Sequence, residues 1–300
     1  MMHHLNPSEH ALAQAIIKFH QNLQIPQKED LQSLTFSSND PIYRITKTAA
    51  WQLGFINQDA QCIALAWQQQ CSSLEQLDPL AWPASPMLFG IHPNPSESFA
   101  PCPKNLGLYV VAPDASWVKK LAQAGLKTIQ LRFKSNDQQQ ILEQVKTAIA
   151  TGREYDSQLF INDYWELAIE EAAYGVHLGQ EDLDTADLSR IRAAGLRLGI
   201  STHGYAEMLR AQQYAPSYIA LGAIFPTTLK QMQTAPQGLG RLTYYAQLLA
   251  QYPLVGIGGV DENNITQVLD TGVGSAALVR AVINSPDYTA AINRLKKHFQ

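Results

Sequence analysis

From Lys104 onward the chain alternates short apolar runs with stretches of helical periodicity, and this rhythm leaves few folds open. The runs are GLYVV (107–111), TIQLRF (128–133), LFIN (159–162), GVHLG (175–179), LRLGIS (196–201), YIALG (218–222), LVGIG (254–258) and SAALV (275–279). Short uninterrupted apolar runs suit strands buried on both faces of a parallel sheet. Helical segments such as DQQQILEQVKTAIATG (137–152), WELAIEEAA (165–173) and DLSRIRAAG (187–195) separate most of them. A helix between two parallel strands returns the chain to the same edge of the sheet. Eight such units in about 197 residues predict a compact (β/α)8 TIM barrel. An open doubly wound sheet is the alternative. The barrel stands first because polar residues follow strand upon strand, as a shared C-terminal rim requires.

Residues 1–103 have a different character. They carry four Lys/Arg against eight Asp/Glu, whereas residues 104–300 carry eighteen of each, so the whole net charge of −4 sits in the first third. NPSEHALAQAIIKFHQNL opens like a helix, with Asn6 as N-cap, Pro7 at the first position and Glu9 at the third. Leu12, Ile16, Phe19 and Leu23 then form an apolar stripe. DAQCIALAWQQQ (59–70) predicts a second helix, and the Pro- and Ser-rich stretch 83–103 reads as a linker. The expected organisation is therefore a mainly helical N-terminal extension of unknown role, 1–103, followed by the barrel, 104–300. Three cysteines, Cys62, Cys71 and Cys102, match no metal spacing, which predicts reduced thiols and a cytoplasmic setting. The mild negative charge argues against nucleic acid, and no run approaches the roughly 18 apolar residues of a membrane span.

Each predicted strand delivers polar groups to the rim. Arg132 and Lys134, two residues apart after Gln130, are expected on one side of the second strand, where a guanidinium beside an ammonium suits a phosphate or pyrophosphate. A solvated basic strand end is the plain alternative. Asn162 and Asp163 end the third strand and Asp182 follows the fourth. Adjacent strands lie about 4.8 Å apart, so both carboxylates could reach one hard cation. An oxygen donor set favours Mg2+ bound jointly with substrate phosphates, although Asp163 could instead cap the next helix and Asp182 a turn. His177 reads as a core histidine outside the metal set. Ser201 and Thr202 could donate to phosphate, with no base defined for a serine nucleophile. The long loop after the sixth strand offers Thr227, Thr228 and Lys230. Gly259 in GIGGV lets backbone N–H groups approach an anion, as in the common phosphate pocket after strands seven and eight.

In order along the chain, QLRFK, FINDYWELA, YGVHLGQEDL, GISTH, YIALGAIFPTTLKQMQTAPQGL and GIGGV resemble the motifs of the thiamine phosphate synthase family. The resemblance runs from about residue 107 to the C-terminus. It implies a transferase that joins hydroxymethylpyrimidine diphosphate to thiazole phosphate and releases pyrophosphate. It implies that Gln130, Arg132, Lys134, Asn162 and Lys230 bind the pyrimidine diphosphate, that Asp163 and Asp182 bind Mg2+, and that Ser201 contacts the pyrimidine. Thr227 and backbone near Gly259 would hold the thiazole phosphate. Two positions depart from the family pattern: Leu229 replaces a second phosphate-binding Thr, and Arg280 stands where the last strand usually ends in Ser. Arg280 could bind the thiazole phosphate directly. The partners implied are small molecules, with room left for a homo-oligomer. A thiazole tautomerase-like isomerase and a non-catalytic ligand-binding homologue are the competing readings.

Overall fold

The eight apolar runs form eight parallel strands, and in a computed structural model they close into a barrel in sequence order. The structure describes residues 5–26, 34–92, 98–227 and 234–299. The strands are β1 (Gly107–Ala112), β2 (Thr128–Leu131), β3 (Gln158–Asn162), β4 (Gly175–Leu178), β5 (Arg197–Thr202), β6 (Tyr218–Leu221), β7 (Leu254–Ile257) and β8 (Ser275–Leu278). β8 pairs with β1 from Gly107 opposite Ser275 to Val110 opposite Leu278, which completes the ring. Their near-complete burial is that of a parallel sheet covered on both faces. β2 stops at Leu131, so Arg132 and Phe133 lie beyond the strand rather than within it. The strand alternation invoked for Arg132 and Lys134 therefore does not apply.

The barrel interior holds Tyr109, Phe160 and Tyr218, with small residues opposite them. A Cβ on Gly199 would lie 2.1 Å from Tyr218 Cζ, so only glycine leaves the ring its place. The Tyr109 and Tyr218 hydroxyls meet at 2.8 Å, which satisfies two polar groups inside an apolar core.

Among the described residues, three α-helices precede the barrel: α1 (Pro7–Phe19), α2 (Pro41–Gln52) and α3 (Asn57–Gln70). α1 has the expected capping box, with Asn6 Oδ1 accepting from Glu9 N–H and Glu9 Oε2 accepting from Asn6 N–H, both at 2.9 Å. It ends at Phe19, whose side chain is half exposed, so the apolar stripe is shorter than its spacing suggests. Around the barrel run α4 (Ala115–Gln123), α5 (Gln138–Glu154), α6 (Trp165–Glu170), α7 (Leu188–Ala193), α8 (Tyr205–Gln213), α9 (Gly238–Leu248), α10 (Ile265–Asp270), α11 (Arg280–Ile283) and α12 (Tyr288–Lys296).

The N-terminal helices share one hydrophobic core with the barrel, from Ile16, Ile45 and Trp67 through Tyr205 and Tyr245 to Ile292. Within 83–103, Phe99 N–H donates to Ala215 O at 3.2 Å and Pro101 O accepts from Arg197 Nε at 2.9 Å; just before that stretch, Trp82 Nε1 donates to Tyr205 Oη at 3.2 Å. Arg241 of α9 is 2% exposed, and its guanidinium donates to Leu23 O and Leu53 O, both at 2.9 Å, beside the Phe55 ring.

Asp59 of α3 is fully enclosed, and burial pushes its carboxyl up to about 6, against the pull of the Ala206 N–H and the Arg241 charge. A raised folded-state pKa gives stability that is full below the unfolded value of 3.8 and is lost as pH rises through about 6. At pH 8 the ionised group then costs on the order of 3 kcal/mol. Asp59→Asn, which keeps an acceptor and drops the charge, is expected to raise the melting temperature at pH 8, with the gain shrinking by pH 4. Thermal unfolding at both pH values checks this, and an equal gain at both would contradict the burial cost.

Candidate functional site

The C-terminal ends of β2 to β5 bring the predicted polar residues onto one rim. Gln130 is buried near the end of β2, and Arg132 follows it, exposed, with its N–H donating to Ala112 O at 2.9 Å. Lys134 reaches across to β3, where its ammonium pairs with Asp163 Oδ2. Asn162 closes β3 and is buried. Asp163 sits at φ +64°, a left-handed conformation that Asn and Asp tolerate better than most residues. Its N–H donates to His177 O at 3.0 Å, which ties the turn to β4. Asp163 makes no side-chain cap for α6, because Tyr164 is the N-cap there.

Asp182 opens a short 3-10 turn beyond β4, and its Oδ2 accepts from Gly179 N–H at 2.8 Å. Burial raises its carboxyl above the usual range, and the Asp163 charge raises it further, while Lys134 opposes both. Two neighbouring carboxylates, with an ammonium already drawn to one of them, are a donor set a hard divalent cation would fit. Among the described residues no group of three or more His, Cys, Asp or Glu is placed to hold a metal, so further ligands would come from water or substrate oxygens.

Ser201 lies in β5, half-buried, with its hydroxyl 2.8 Å from His177 Nε2. The other ring nitrogen, Nδ1, is 2.7 Å from Tyr218 Oη, so hydrogen bonds run from the rim through His177 and Tyr218 to Tyr109. His177 is indeed buried, yet it also fixes the Ser201 hydroxyl. Its i, i+2 relation to Gly175 and Gly179 was a signal that it faces the barrel axis. Gln180 is a second residue the sequence reading missed: its Nε2 donates to Ser201 O at 2.8 Å. It stands inside GQED, two residues before Asp182. His203, the last residue of GISTH, is 2.6 Å through Nδ1 from Glu207 Oε2.

Thr227 is half-buried beyond β6, Gly259 lies at φ +70° beyond β7, and Arg280 begins α11 after β8. At Gly259 a Cβ would come within 2.7 Å of Phe225 Cβ and 2.9 Å of Pro226 O, so the loops after β6 and β7 touch there. Thr228, Leu229 and Lys230 lie outside the described residues. A cleft of about 350 Å3 lined by Arg153, Asp156, Ser157 and Tyr174 lies at the start of β3, the end of the strands opposite the rim. It gathers none of the predicted site residues.

Residues 108–282 match the family model described as thiamine monophosphate synthase. The thiamine-phosphate synthase of Serratia proteamaculans is 52% identical over 197 residues, which is 66% of this chain and 93% of that protein. That of Pectobacterium atrosepticum is 53% identical over 203 residues, covering 67% of this chain and 95% of that one. Among solved structures, thiamine phosphate pyrophosphorylase from Pyrococcus furiosus matches with a TM-score of 0.59 at 30% identity, over 65% of this chain and 96% of that chain. A rim with this residue set, on a barrel matched over most of the length of these relatives, establishes that the chain belongs to the thiamine monophosphate synthase family.

Proposed function

We propose that the chain is a thiamine phosphate synthase, joining hydroxymethylpyrimidine diphosphate to thiazole phosphate with release of pyrophosphate. The observation that carries this reading is the pairing of Lys134 with Asp163 beside Asp182, a charge cluster suited to a diphosphate and its cation. In the reaction the C–O bond between the pyrimidine methylene and the diphosphate breaks, and the electron pair leaves with pyrophosphate. The thiazole nitrogen lone pair then forms the C–N bond. No protein nucleophile or strong base is needed, which fits a rim of cations, amides and hydroxyls.

Arg132 and Lys134 offset the charge gathering on the leaving group, and Gln130 and Asn162 orient it from buried positions. Asp163 and Asp182 would hold Mg2+, which would supply Lewis-acid stabilisation of the departing pyrophosphate. Ser201, its hydroxyl fixed by His177, contacts the pyrimidine ring. Thr227, backbone at Gly259 and the loop residues Thr228 and Lys230 serve the phosphate groups. We place the enzyme in the cytoplasm, in keeping with three free cysteines.

The test is turnover by the full-length chain with both substrates and Mg2+, following thiamine phosphate and pyrophosphate together, with an EDTA control. Equal, metal-dependent formation of both products is expected. Folded protein that forms neither would favour an isomerase or a non-catalytic binder. Within this reading Arg280 takes over from the missing Ser at the thiazole phosphate. Arg280→Ala is expected to raise the thiazole-phosphate KM by about tenfold, the scale of one charged contact, and to spare the pyrimidine KM. Steady-state kinetics varying each substrate checks this; an unchanged thiazole-phosphate KM would remove Arg280 from the site.

A further inference from the structure

Asp59 belongs to α3, outside the barrel, yet its carboxylate ends inside the rim segment that follows β5. Oδ1 accepts from Ala206 N–H at 2.8 Å, in the first turn of α8. Oδ2 lies 2.0 Å from where a Gly204 Cβ would stand, so this approach is open only to glycine at 204. Next to it, Tyr205 is gripped by the same N-terminal layer, with Phe89 stacked at 5.2 Å and Trp82 donating to its hydroxyl. Glu207 closes the turn from within, accepting from His203 N–H at 2.8 Å. Ser201 lies three residues before Gly204, and its own carbonyl is held by Gln180.

The segment from Ser201 to Ala206 is thus fixed at one end by barrel residues and at the other by a residue of the extension. We propose that Asp59 is a positioning residue for the pyrimidine side of the site, acting on Ser201 through the turn at His203–Ala206. This rests on the placement of Ser201 against the pyrimidine given above. The physical basis is the sensitivity of binding and catalysis to small displacements: a misplacement of about 1 Å can cost on the order of a hundredfold. It also gives residues 1–103 a part in the site that no motif within them announces.

The experiment compares full-length wild type, Asp59→Ala and Asp59→Asn by steady-state kinetics and by hydrogen exchange of the peptide covering 202–208. Asp59→Ala is expected to raise the pyrimidine-diphosphate KM by about tenfold, to leave the thiazole-phosphate KM within about twofold, and to speed exchange in that peptide. Asp59→Asn, which retains an oxygen for the Ala206 N–H, is expected to restore both readouts. Unchanged exchange in Asp59→Ala, or faster exchange with both KM values unchanged, overturns the proposal. Should Asp59→Ala fail to fold, Gly204→Ala disturbs the same contact from the barrel side, and a pyrimidine KM equal to wild type there also overturns it. Exchange needs no turnover, so an inactive wild type would sink the synthase reading while leaving the role of Asp59 in ordering the turn measurable.

Discussion

Asp163→Asn is expected to lower kcat/KM for the pyrimidine diphosphate by on the order of 10^2 to 10^3, the usual cost of losing one strong electrostatic contact to a transition state. The substitution is close to isosteric, and asparagine accepts the left-handed backbone at φ +64°, so the fold is expected to survive. What disappears is a charge. Lys134 loses its carboxylate partner, and a cation held as proposed would lose one of its two carboxylate ligands. Asp182 also changes, because the Asp163 charge that helps to raise its carboxyl is gone. The variant should therefore show weaker apparent Mg2+ affinity together with slower turnover. A Mg2+ titration of initial rates checks both; turnover within about threefold of wild type would place the cation elsewhere on the rim.

Arg241→Ala is expected to cost on the order of 3–5 kcal/mol of stability, the range for removing one partner from a buried charged network. The side chain is 2% exposed and donates to Leu23 O, Leu53 O and, at 3.1 Å, Gln237 Oε1. Truncation takes the guanidinium donor from the enclosed Leu23 O, leaves Leu53 O with the Ile25 N–H and Gln237 Oε1 with the Tyr245 hydroxyl, opens a void against Phe55, and removes the cation that eases the ionisation of Asp59. Denaturant unfolding of the full chain measures the loss. A cost below about 1 kcal/mol would mean that water enters and satisfies the carbonyls.

The barrel was legible because its signal is repetition. Each strand is a short apolar run, and errors at strand ends, such as the two residues wrongly given to β2, do not disturb the order of strands. The rim was legible because polar residues after a buried strand have few other uses. Lys134 met Asp163 even though the alternation argued for it failed, since a flexible side chain of that length spans the gap. The N-terminal third was harder. Its first helix announced itself by the Asn6 cap, but α2 was missed although Asp40 and Pro41 mark its start and Ile42, Ile45 and Ala49 fall at helical spacing, because Thr46 and Lys47 share its buried side and read as surface residues. In the sequence Asp59 stands only as the first residue of the helix expected at 59–70, a position where an acid is common. Only its three-dimensional partner, 147 residues later, makes it a buried contact. Long-range pairings of that kind leave no periodicity to read.

The donors that Arg241 extends to Leu23 and Leu53 lie 218 and 188 residues further along the chain. At a ribosomal pace of about 5–20 residues per second, those two carbonyls emerge on the order of ten to forty seconds before their partner exists. The contacts of the extension can be completed only after six of the eight barrel strands have been made. During that interval the Phe55 ring lacks the guanidinium that lies over it in the folded chain, and the Leu23 and Leu53 carbonyls lack that donor.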